Sequence, residues 1–264
     1  MLTLSKTHEP TSPPNQESRS SRQPNDDAVL SKTRLARVAG VLYLLVALLG
    51  GFSQLYVRPT VIEAGDAVAT AQNIASSPAL FRLGFVTDLV SITLFLLVAL
   101  ALYTLLKPIG AALASAMVIF NAVAVAVMSV NMINHAAAYL VATSVDHTAA
   151  LGADASAAQV LLFLDLHSQG YLIAEIFFGL WLIPLGLLVS RSGYFPRPLG
   201  ILLIVGAASY LVDVALVLLF PGAGESLSLL VAVPAGIAEV VFLFWLLAKG
   251  IGPQLASRTA RSVS

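Results

Sequence analysis

The 264-residue chain contains no cysteine, which excludes disulfides, thiolate metal sites and thiol nucleophiles. Charge is scarce too. Only 11% of residues are Asp, Glu, Lys or Arg, against about 25% in soluble domains, so charge cannot cover a globular surface. The net charge of +0 leaves no bulk attraction to a polyanion, and nucleic acid is not an expected partner. Several motifs are missing as well. There is no G-x-x-x-x-G-K-[ST] phosphate loop, no G-x-G-x-x-G turn, no G-x-S-x-G nucleophile elbow, and no H-E-x-x-H or H-x-x-x-H metal spacing. No cofactor and no metal are expected.

Apolar residues make up 58% of the chain. A helix needs ~20 apolar residues to cross a hydrocarbon core of about 30 Å. Six runs meet that length: Val38–Val57, Leu83–Leu106, Ala111–His135, Gly170–Val189, Leu199–Phe220 and Leu227–Ala248. The runs are continuous rather than alternating, which argues for helices over a barrel, because lipid-exposed backbone must satisfy its own hydrogen bonds. The fold class is therefore an all-α polytopic membrane bundle of six transmembrane helices, with the lipid bilayer as its first partner. Twelve of the fourteen Lys and Arg residues fall on one side of this topology, and Arg58 and Arg82 alone on the other. The positive-inside rule then places both termini in the cytoplasm. Residues 1–33, rich in Ser, Pro, Asn and Gln, read as a disordered cytoplasmic tail. Residues 34–250 read as the membrane domain, and 251–264 as a short cytoplasmic tail.

The connections differ in kind. Lys107-Pro-Ile-Gly110 is a tight hairpin, so spans two and three pack as antiparallel neighbours. Pro198 suits the first turn of span five. On the outer side, Asp66 reads as the N-cap of a helix reaching Ser76. Ala155–Leu166 is apolar but too short to span. We read it as an interfacial helix on the outer leaflet, because Ser168-Gln-Gly170 reads as a break; a long extension of span four is the alternative.

Polar groups inside the spans carry the functional information. An Asp at mid-bilayer costs ~2.5–3.5 kcal/mol on insertion scales. Asp88, Glu175, Asp213 and Glu239 should therefore face the bundle interior. At ~1.5 Å of rise per residue, Asp88, Asn131, Glu175 and Asp213 lie about 6–10 Å below the outer ends of their spans, and Glu239 lies deeper. That shared level predicts an outer-leaflet polar cavity. It would bind a small-molecule or cation ligand through Asp88, Glu175 and Asp213, with Glu239 beneath as a relay. His167, Tyr171 and Glu175 follow one helical face, provided the helix is continuous there; Gly179 and Gly186 extend that face as a close-packing surface. Span three aligns Asn121, Met128, Asn131 and His135. Arg82 reads as a headgroup anchor with the option of pairing to a carboxylate. The candidate binding cluster is Asp88, Asn131, His167, Tyr171, Glu175, Asp213 and Glu239, with no residue assigned a catalytic role.

A set of segments resembles a known family. They are Arg37-Val-Ala-Gly-Val-Leu-Tyr-Leu44, Gly65-Asp-Ala-Val-Ala-Thr-Ala-Gln-Asn-Ile74, Phe81-Arg-Leu-Gly-Phe-Val-Thr-Asp88 and Ala101-Leu-Tyr-Thr-Leu-Leu-Lys-Pro108, followed by Ile176-Phe-Phe-Gly-Leu-Trp-Leu-Ile-Pro-Leu-Gly186 and Ser192-Gly-Tyr-Phe-Pro-Arg-Pro-Leu-Gly200. From about Arg37 to Gly250 the chain resembles the bacterial multi-spanning domain-of-unknown-function 4386 family. The resemblance implies a protein of the bacterial cytoplasmic membrane with six or seven helices, and it carries no activity or site residue. Three function classes stay open. In order they are small-solute or proton-coupled transport or sensing, a non-catalytic interaction role, and an intramembrane enzyme whose best acid–base pair would be His167 and Glu175. The oligomeric state is not legible.

Overall fold

A computed structural model describes residues 23–220 and 222–252. Among the described residues there is no strand, and six helices are long and apolar enough to cross a membrane. They are Val29–Val61, Pro78–Leu106, Ala111–Thr143, Ala153–Ser192, Arg197–Leu219 and Ser226–Ala248. The helix that carries span one begins earlier, at Gln23. Residues 23–33, read from composition as tail, are thus helical, whereas the expectations for residues 1–22 and 253–264 fall outside the described residues.

The spans form a ring. Each packs on its neighbours in sequence, and the sixth returns to the first. Alternating direction and short connections give this order directly. Lys107–Gly110 closes the span two to three hairpin, and Pro198 lies in the first turn of span five. Small residues set the closest approach: Gly186 lies against the Gly200 carbonyl and Ile204, so a side chain at either glycine would displace the other helix. Span four is the scaffold, with 61% of its apolar window buried; spans one and six have 22% each.

Span four also corrects the sequence reading. Ala153–Ser192 is one helix of 40 residues, with no separate interfacial helix at 155–166. At ~1.5 Å per residue it is about 60 Å long, twice the hydrocarbon thickness. Gly170 is a helix contact rather than a break. A Cβ there would fall on the Asn131 carboxamide, whose Nδ2 donates to the His167 carbonyl at 2.8 Å. One glycine costs a helix only about 1 kcal/mol, which this packing offsets. Beyond the bilayer-length part, spans three and four continue as a pair, and helix Ala67–Ser76 lies on them, burying Thr70 and Ile74. Asp66 caps that helix as expected, accepting from the Ala69 N–H at 2.8 Å. Val61, Ile74, Phe81, Ala138, Val141, Val160 and Leu164 make this extension a small core of its own.

The main core occupies the half of the ring at the end that carries Lys32, Lys107, Arg191 and Lys249. Leu102, Leu105, Met117, Leu182, Leu185, Leu203, Phe242 and Leu246 are all buried there. This basic end is therefore closed by close-packed side chains. Polar groups collect in the other half.

Candidate functional site

Span one changes pitch before it ends. Ser53–Val57 is a π-helical turn in which the Arg58 N–H donates to the Ser53 carbonyl, five residues back. The neighbouring sequence favours the wide turn: Gly50 and Gly51 precede it, and Pro59 cannot donate a backbone hydrogen bond. A five-residue turn stacks Ser53 and Arg58 on one face. Both reach Asp88 of span two. Ser53 Oγ donates to Asp88 Oδ2 at 2.8 Å, and Arg58 Nη2 lies 3.6 Å from the same oxygen.

Arg58 joins a third span as well. Its Nη2 bonds Nε2 of His167, and His167 Nδ1 lies 3.3 Å from the Asn131 carbonyl. A guanidinium can only donate, so Nε2 accepts and Nδ1 carries the proton. Asn134 Nδ2 donates to Asn131 Oδ1 at 3.1 Å, and the His135 ring packs on Phe81 with centroids 4.1 Å apart. Spans one to four are thus tied by one network of Ser53, Arg58, Asp88, Asn131 and His167. Arg82, the carboxylate partner considered from sequence, does not take part. It donates from Nε to the Pro78 carbonyl at 3.3 Å and lies over the Tyr139 ring.

Below this network is a cavity of about 360 Å³ to which every span contributes. Span one gives Tyr43, Gly51 and Gln54; span two gives Asp88 and Phe95; span three gives Met128. Tyr171 and Phe178 come from span four, Tyr210 from span five and Glu239 from span six. The rings form a continuous wall. Centroids of Tyr43 and Phe95 are 6.3 Å apart, Phe95 and Phe178 5.8 Å, Tyr171 and Phe178 5.9 Å, and Phe178 and Tyr210 6.1 Å. The Tyr43 and Tyr210 hydroxyls lie beside the Glu239 carboxylate, and that of Tyr43 is buried without a hydrogen bond of good geometry among the described residues. Arg58–Asp88 is the ion pair among the described residues, so Glu239 faces the cavity without a cation.

The seven candidate residues therefore divide into three groups. Asp88, Tyr171 and Glu239 line the cavity. Asn131 and His167 belong to the network above it. Glu175 and Asp213 do not line it. Asp213 accepts from Ser228 Oγ at 2.9 Å and keeps a second buried oxygen without a partner. Glu175 lies near Asp213, on the same helical face as Tyr171 and Phe178, and is not among the lining residues. His167 is held at both ring nitrogens, so it forms no acid–base pair with Glu175. Among the described residues no group of three His, Asp or Glu side chains lies together as metal ligands.

Sequence reasoning missed Arg58, Tyr43, Phe95, Phe178 and Tyr210. A signal for Arg58 was present: an arginine ending an apolar run between Gly50-Gly51 and Pro59, on the side almost free of basic residues. An aromatic inside an apolar run gives no comparable signal, because core and cavity wall use the same residue types.

Comparison with known proteins adds the family. The family described as "Domain of unknown function (DUF4386)" matches residues 38–250. The chain belongs to this family. Every network and cavity residue named above lies inside the matched stretch. An uncharacterized protein of Archaeoglobus fulgidus is 32% identical over 153 residues, which cover 58% of this chain and 75% of that protein. No solved structure matches. The DUF4386 description names no activity, so function has to be argued from the site.

Proposed function

We propose that this helical membrane protein is a multi-pass protein of the bacterial cytoplasmic membrane, with both termini in the cytoplasm. In this reading it binds a small hydrogen-bonding or cationic solute in its central cavity, for transport or sensing. One observation carries the reading. All six spans converge on a cavity of about 360 Å³ that holds an unpartnered Tyr43 hydroxyl and the Glu239 carboxylate. Interiors are close-packed and their buried polar groups are normally paired. Ligand sites are mostly apolar hollows of roughly 300–1,000 Å³ with a few convergent polar groups. The contact residues differ from those expected from depth alone. Asp88 and Glu239 supply the acidic groups, and Asp88 is already matched by Arg58. Glu239 is then the group that answers a ligand's charge.

Two experiments test this. Thermal stability of the purified protein, across a panel of solutes, should rise with the correct ligand, because native-state binding stabilises by mass action. The rise should vanish in Glu239→Gln. Flat responses to every solute would overturn the reading and favour an accessory role. The orientation is checked with single cysteines, which meet no background in a chain lacking them. Ala64→Cys should react with an impermeant maleimide in intact cells, and Lys107→Cys only after lysis. The reverse pattern would invert the topology.

A further inference from the structure

The cavity has a side opening. Ala47, Gly51 and Leu55 lie on one face of span one and line the cavity, yet Leu55 is 81% exposed. A residue can do both only where the cavity opens through the wall of the bundle. On span six, exposed Gly236 lies one turn from Glu239 and on the helical side of Leu243 and Leu247, the side that meets span one nearer the basic end. A Cβ built at Gly236 or at Gly51 meets nothing within 4 Å. Nearer the basic end the same two spans do touch, with Gly40 against Leu246 and Leu247. Gly51 is about 16 Å further along the helix than Gly40, inside the apolar run Val38–Val57. The gap therefore faces acyl chains rather than water.

The lining has a matching chemistry. Rings of Tyr43, Phe95, Tyr171, Phe178 and Tyr210 line the cavity with two carboxylates, Asp88, which Arg58 balances, and Glu239, which has no cation among the described residues. Aromatic faces attract cations, most strongly where water is excluded, and favour those that are weakly hydrated. A phosphate or carboxylate headgroup would instead meet Glu239 with like charge. We infer that the cavity takes a lipophilic organic cation, an ammonium or phosphonium bearing aryl or alkyl groups, which enters from the bilayer between spans one and six. This rests on the reading of the cavity as a ligand site.

The test uses the full chain in lipid nanodiscs, with empty nanodiscs subtracted. Three probes are compared: tetraphenylphosphonium, the anion tetraphenylborate of the same shape, and the hydrophilic tetramethylammonium. Saturable binding of tetraphenylphosphonium alone is expected, weakened at least tenfold in Glu239→Gln. Gly51→Leu and Gly236→Leu fill empty space and should fold, and they should slow association at least tenfold. Preference for tetramethylammonium, or association unchanged in both leucine variants, overturns the inference while leaving the cavity reading intact. Equal binding of the anion and the cation overturns the charge assignment. No binding of these probes or of any solute in the stability panel overturns both.

Discussion

Two polar regions sit next to each other in this bundle, and they differ in whether their carboxylate has a cation. Around Asp88, Ser53 donates, Arg58 balances the charge while its Nε stays without a partner, and Asn131 and His167 bond reciprocally across spans three and four. Around Glu239 there are aromatic rings, the hydroxyls of Tyr43 and Tyr210, no cation among the described residues, and open space. Both regions place carboxylates within apolar spans, so hydropathy cannot tell them apart. A buried carboxylate matched by a cation fixes a structure; one left facing a cavity is available to something else. The contrast implies that mutations in the first region act on stability and those in the second on binding.

The sharpest way to break this contrast is Arg58→Ala. It leaves Asp88 buried without its cation, and losing one partner of a buried pair costs about 3–5 kcal/mol. A large drop in thermal midpoint is expected, with most of it recovered by adding Asp88→Asn. A variant that melts with the wild type would show that the network does not hold spans one to four together. Gly170→Ala comes next. The new methyl meets the Asn131 carboxamide, and overpacking of this kind costs roughly 1–3 kcal/mol. Adding Asn131→Ala should relieve the clash, although it also removes the bond to the His167 carbonyl. The double variant should therefore fall between wild type and Gly170→Ala in a melting series.

How much of this was legible in the sequence depends on the physics of each element. The six spans were, because hydrocarbon thickness imposes a run length that the sequence must display. The burial of Asp88 and Asp213 also followed, from insertion cost alone. The continuity of span four did not. Ser168-Gln-Gly170 carries the same local signal whether the chain breaks there or another side chain packs against it, and only the position of Asn131 decides. Depth gave Asp88, Glu175 and Asp213 a common level, but depth is one coordinate, and the direction each side chain points around its helix axis is the other. That second coordinate turns Asp213 to Ser228 and Glu239 to the cavity, while Glu175 shares the helical face of Tyr171 and Phe178 without joining the lining. The sequence marks Arg58 but not the direction it points, for a related reason. The π-helical turn shifts its register, and a regular helix drawn from Val38 would aim it elsewhere.

Glu239→Gln sharpens the comparison from the other side. Charge is removed while shape is kept, and no cation among the described residues loses its partner. Stability in the absence of ligand should change by less than about 1 kcal/mol, far below the effect at Arg58. The same variant should lose the stabilisation given by the cavity's ligand. A loss of fold comparable to Arg58→Ala would mean that Glu239 is a structural group like Asp88, and the distinction between the two regions would collapse.

The smallest expected effect on folding is at Tyr43. Its ring packs edge-on against Trp181 with centroids 6.3 Å apart, and the residue is 4% exposed. Tyr43→Phe keeps that ring and removes only the oxygen. A buried hydroxyl without a partner carries an uncompensated desolvation cost of about 1–3 kcal/mol, so the unliganded protein should be unchanged or slightly more stable. If the hydroxyl serves the ligand, the variant should bind more weakly at the same time. Opposite signs in the two measurements are the signature of a polar group placed for binding at the expense of folding. A fall in both would instead show that the hydroxyl is paired within the protein, and Tyr43 would then belong with Ser53 and Asn131 among the groups that hold the spans together.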